Sequence, residues 1–148
     1  MRYEDVELGD ELTEWSPDVS MEKVRKFVGA AEMDFPRFTD HDHARGEGLP
    51  GAVVPGIMSQ GQLAVMIHAW APGCRIRRID TVFRTPIVVG TRPTCTGAVT
   101  DTDDEAHTVE LDLTILNEDG STGVLGTAVV ELAIQAEAGS TRPSAPLA

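Results

Sequence analysis

Cysteine is scarce in this chain. Cys74 and Cys95 are the only two among 148 residues and form no CxxC pair. That leaves no disulfide framework, and a reducing compartment is the natural expectation. Aromatic residues make up 5% of the chain, so a core must be built mostly from aliphatic side chains. Positive charge is also short: 12 Lys and Arg stand against 24 Asp and Glu, for a net charge of −12. Nucleic-acid binding needs dense phosphate neutralisation, and this balance argues against it. No apolar run is long enough for a bilayer. The longest, Gly56 to Trp70, is interrupted by Ser59, Gln60, Gln62 and His68. The opening residues MRYEDVELGDEL are polar and acidic, unlike a secretory signal, and a cytoplasmic location is expected.

What remains is an ordinary soluble composition, 41% hydrophobic and 24% charged, at a length that suits one domain with its own core. Val24, Phe27, Val28 and Ala31 recur at helical spacing behind Ser20, a natural N-cap, so residues 20–32 read as an amphipathic helix. Pro36 stops it, and Asp40 is placed to cap a short helix through Arg45. Residues 56–71 read as a second long helix. Leu63, Ala64, Val65, Met66 and Ile67 make one of its turns apolar on every face, so it is expected to be enclosed. Strands are expected at 75–84, 92–101, 108–116 and 122–134, with a hairpin turn at Asn117–Gly120 joining the last two. Helices followed by consecutive strands predict an α+β domain over residues 1–134, a curved antiparallel sheet wrapped around the 56–71 helix. The tail from 135 to 148 is poor in large apolar residues and is expected to be disordered.

Chemistry-bearing residues concentrate just before the buried helix. Asp34, Arg37, Thr39, Asp40, His41, Asp42 and His43 fall within ten positions, and a turn-rich stretch leads from them to Gly56. An ionisable loop feeding a helix N-terminus places acid–base groups beside free backbone N–H donors, which suits reactions of a carbonyl or thioester. His41 and His43 are one residue apart and diverge on a helix, so no metal site is expected. His68 reads as a core histidine and His107 as an exposed one near a strand turn. Five of the twelve basic residues, Arg75, Arg77, Arg78, Arg84 and Arg92, lie within eighteen positions and could receive a phosphorylated or carboxylated ligand.

Several short stretches, in this order and spacing, resemble the MaoC-like branch of the hot-dog fold. They are Leu8-Gly9-Asp10, the Asp34-Phe35 to Ala44 segment, Val53-Val54-Pro55-Gly56-Ile57-Met58, Trp70, Phe83 with Pro86, and the Gly90 turn. The resemblance runs from about Tyr3 to Ile134. It implies an enoyl-thioester hydratase or 3-hydroxyacyl-thioester dehydratase acting on a CoA or carrier-protein thioester. Gly56 would supply the backbone N–H that holds the thioester oxygen, and Asp34 would position a water. The family's histidine base is missing: its slot falls on Phe38 or Thr39, and Pro55 replaces a second histidine before the helix. His41 is the nearest imidazole that could stand in.

The resemblance implies no separate cofactor. CoA or phosphopantetheine would arrive as part of the substrate, with Arg75, Arg77 and Arg84 as candidates for its phosphates. It also implies pairing of two hot-dog chains, as a homodimer or with a different partner. The lost histidine admits two alternatives: a substrate-binding subunit relieved of catalysis, or a pocket turned to another biosynthetic reaction on a hydrophobic small molecule.

Overall fold

The computed structural model describes residues 1–134, and the expectation for the tail at 135–148 lies outside them. The helices are α1 (Met21–Ala30), α2 (Pro36–Thr39), α3 (His41–Gly46) and α4 (Gly56–Trp70). They precede the strands β1 (Arg75–Phe83), β2 (Thr94–Asp103), β3 (Thr108–Leu116) and β4 (Thr122–Glu131). Among the described residues no helix is long and apolar enough to cross a membrane.

Local chemistry accounts for the helix ends. The Ser20 hydroxyl accepts from the Lys23 N–H at 3.3 Å, and α1 buries Val24 and Val28. Pro36 does more than stop that helix. With φ already fixed and no N–H to lose, it opens α2 as its first residue, while Phe35 before it is extended. The Asp40 carboxylate accepts from the His43 N–H at 3.0 Å and caps α3. That bond holds the Asp40 carboxyl below the usual aspartate range.

The four strands form one antiparallel sheet in the order β1-β4-β3-β2. β3 alternates as its sequence does: Val109, Leu111, Leu113 and Ile115 are buried, and Glu110 and Asp112 face solvent. Gly120 turns the β3–β4 hairpin at φ +85, a conformation that costs glycine little. Residues 9–15 run along the outer side of β2, with Leu12 N–H donating to Gly97 and Val99 N–H to Asp10. β1 at the other end has no strand beside its outer edge among the described residues.

The core lies between the sheet and the helices. Leu63 and Ile67 of α4 and Val24 and Val28 of α1 join Leu111, Leu113, Ile115, Val124 and Val130 in it. Full enclosure of α4 is not what the structure shows. Ser59, Gln62, Leu63, Met66 and Ile67 are buried, yet Ile57 is 60% exposed and Val65 54% exposed, with Gly61 and His68 exposed on the same side. The apolar turn was read correctly as chemistry, but the chain itself supplies a cover for only one side. His68 is consequently no core histidine: it is exposed on α4, with Nδ1 3.6 Å from the Cys74 thiol. His107, expected to be exposed, is half-buried in the β2–β3 turn at φ +54.

Candidate functional site

The start of α4 is fixed by two crossings of the chain. Val54 N–H donates to Ile87, and Val89 N–H to Ala52, so the segment before α4 pairs with the loop after β1. Val53 N–H donates to the carbonyl of Arg37, which ties α2 to the same place. The loop after β1 is held in turn by Arg84 N–H on the Gly123 carbonyl and by the Thr85 hydroxyl on the Thr122 carbonyl.

These crossings enclose a groove of about 540 Å³ at the N-terminus of α4. Phe38, Leu49, Val53, Val54, Phe83, Ile87 and Val124 give it apolar walls. Gly56 and Ser59 come to it from α4, and Arg37 and Arg84 from its two sides. Met58 and Ser59 amides donate to the Pro55 carbonyl, so the Gly56 and Ile57 amides have no acceptor inside the helix. A helix of fifteen residues carries about half a positive charge at that end. In a chain of net charge −12, the groove therefore gathers a helix N-terminus and two guanidinium groups: Arg37, whose Nε is 3.4 Å from a Glu47 carboxylate oxygen, and Arg84, which has no ion-pair partner among the described residues. Such a site favours an anion or an oxygen on which negative charge develops.

Phe83 decides the residue at position 56. A methyl group on Gly56 would lie 2.7 Å from the Phe83 Cζ atom, so the ring would have to move aside to admit one. The absent side chain lets the ring pack against the first turn of α4 while remaining 55% exposed.

The residues named from sequence scatter. Gly56 is in the groove. Asp34 is exposed on the turn between α1 and α2 and does not line it. His41 opens α3, half-buried, and its Nδ1 accepts from the Ala52 N–H at 3.0 Å. The imidazole thus pins the segment that leads into α4. Of the three arginines, Arg84 lines the groove, Arg77 is paired with Glu131, and Arg75 is exposed at the start of β1. Arg37, Phe38, Ser59 and Phe83 complete the site. Sequence reasoning had noted Arg37 as one charge of the loop, Phe38 as a filled slot and Phe83 as part of a resemblance. Ser59 had one available signal, its spacing of three from Gly56, which puts it on the same helical face. No histidine, cysteine or carboxylate is among the residues that line the groove. Among the described residues there is also no cluster of three or more metal-ligating side chains.

No protein-family model matches the sequence, and no curated protein matches it. Solved structures do match. The R-hydratase PhaJ1 from Pseudomonas aeruginosa is 17% identical with a TM-score of 0.83, covering 97% of this chain and 95% of that one. A MaoC-like dehydratase from Rhodospirillum rubrum is 18% identical with a TM-score of 0.76, covering 92% of this chain and 99% of that one. A chain of the ChsH1–ChsH2 complex from Mycobacterium tuberculosis is 20% identical with a TM-score of 0.79, covering 86% and 98%. The chain thus has the hot-dog fold of these MaoC-like dehydratases and (R)-hydratases.

Proposed function

We propose that this chain binds an acyl thioester in the α4 groove, as a subunit of an enoyl-thioester hydratase or 3-hydroxyacyl-thioester dehydratase. A paired hot-dog chain then supplies the catalytic base. One observation carries the proposal: an unpaired helix N-terminus opens into an apolar groove flanked by Arg37 and Arg84, with no base among the lining residues. The apolar walls suit an acyl chain, and the Gly56 amide suits the thioester oxygen. The two arginines suit the phosphates of CoA or phosphopantetheine.

In hydration, a base takes a proton from water as its oxygen bonds to the β-carbon. Negative charge moves onto the thioester oxygen, and the α-carbon then receives a proton. The Gly56 N–H stabilises the middle of that sequence, and one such donor is worth about 10²–10³ in rate. Its groove supplies no group for the first step, because the position a histidine would hold is occupied by Phe38 or, on the other alignment, Thr39. Two features favour a partner. The exposed apolar stripe of α4 and the open edge of β1 together offer a surface for a second hot-dog chain, and one of the similar structures is a complex of two different proteins.

The Gly56 amide can be tested by pairing substitutions. Phe83→Ala makes room at position 56. In that background Gly56→Ala keeps the amide, and Gly56→Pro removes it while still suiting a helix start. We expect decanoyl-CoA, titrated by calorimetry, to bind the Ala form and to bind the Pro form at least about tenfold more weakly. Equal affinities would remove the oxyanion role. A panel of enoyl-CoAs given to the chain alone tests the base. Turnover by the chain alone would place the base within this chain instead of its partner, and its loss in a folded Asp34→Ala variant would point to Asp34.

A further inference from the structure

Gln62 lies just beyond the groove, three residues past Ser59 on α4 and outside the groove's lining. It is 8% exposed, and its amide oxygen is fully buried with no hydrogen-bond donor. A buried acceptor left without a partner is costly, and a structure retains one where something outside the chain satisfies it. Its place on α4 indicates what that is. The buried stripe of α4 runs Ser59, Gln62, Leu63, Met66, Ile67, and Ser59 already lines the groove. Gln62 comes three positions later on that stripe, about 9 Å along the axis from Gly56. Met58 and Met66 stand four residues before and after it on the same helix, Met58 half-buried and Met66 buried. Thioether side chains are the most deformable of core residues, so the surroundings of Gln62 on α4 can yield to an entering chain.

Resting on the thioester reading above, we propose that Gln62 marks the far end of the acyl subsite. There its amide oxygen accepts a hydrogen bond from a hydroxyl group carried by the distal part of the acyl chain. The thioester oxygen at the Gly56 amide and the hydroxyl at Gln62 fix the ligand at both ends. The preferred ligand class is then hydroxylated acyl thioesters over plain ones.

The test is calorimetric binding of acyl-CoAs from hexanoyl to dodecanoyl, each with and without an ω-hydroxyl, to the full chain and to Gln62→Leu and Gln62→Met. We expect one chain length at which the hydroxylated ligand binds the native protein about tenfold more tightly than the plain one. In both variants that preference should vanish or reverse, with the melting temperature unchanged or raised because the unsatisfied acceptor is gone. Equal affinities at every length, or a preference that survives both substitutions, would overturn the proposal and leave the thioester reading standing; Gln62 would then be satisfied by a buried water. Failure of every acyl-CoA to bind would overturn both.

Discussion

At the scale of single residues, the site is defined by what surrounds Gly56 rather than by an acid–base pair. The Phe83 ring packs where a side chain at position 56 would lie, and Phe38 supplies part of the groove's apolar wall. His41 serves the same site indirectly, since its Nδ1 satisfies the buried Ala52 amide just before α4. Removing it strands that N–H. His41→Ala should lose about 1–3 kcal/mol of stability in denaturant titration, the cost of an unsatisfied buried donor. Acyl-CoA binding should persist at temperatures where the variant remains folded. A stable His41→Ala protein would show that the latch is dispensable. That Gly56 opens an apolar helix after a proline is legible as a local pattern, while its part in a site rests on the resemblance. Arg37 and Phe83 were not legible as site residues, because they meet only when the loop after β1 crosses the segment before α4. His68 was misread for a related reason: its apolar neighbours in sequence say nothing about which side of α4 the sheet covers.

At the scale of elements, α4 carries both faces of the problem. One side packs into the core, and the other presents Ile57, Gly61 and Val65 to solvent. If a second hot-dog chain covers that stripe, Val65→Asp should leave melting of the isolated chain nearly unchanged but abolish association in analytical ultracentrifugation. Association unaffected by the charge would move the interface elsewhere. The short α3 shows a pH response of calculable sign. Asp40 caps it as a carboxylate, and its folded pKa lies below the ordinary aspartate value. The cap therefore contributes fully above that ordinary value and is lost as pH falls through the lower, folded one. Asp40→Asn keeps the cap without the charge, so it should flatten this part of the acid-unfolding profile. An unchanged profile would mean that the cap is not what acid breaks. Helix and strand positions were readable to within a few residues, since caps, prolines and alternation are local signals. The helix at 36–39 is not legible, because a proline after a helical run signals a stop as readily as a new start.

At the scale of the whole molecule, the order of helices and strands made an antiparallel sheet against a long helix readable; the resemblance added the hot-dog fold, and the similar structures bear it out. The groove's positive character was less readable. Net charge is a sum over 148 residues, while the site depends on which few of them the crossings gather. The central claim is a thioester site that polarises its ligand without a base of its own. The most direct test is to mix crotonyl-CoA with the purified chain alone and follow the enoyl-thioester absorbance band. We expect the band to shift to longer wavelength, as a carbonyl held by the Gly56 amide requires, and then to persist. A band that decays would show that the chain carries its own base, and a band that never shifts would show that the groove does not hold the thioester.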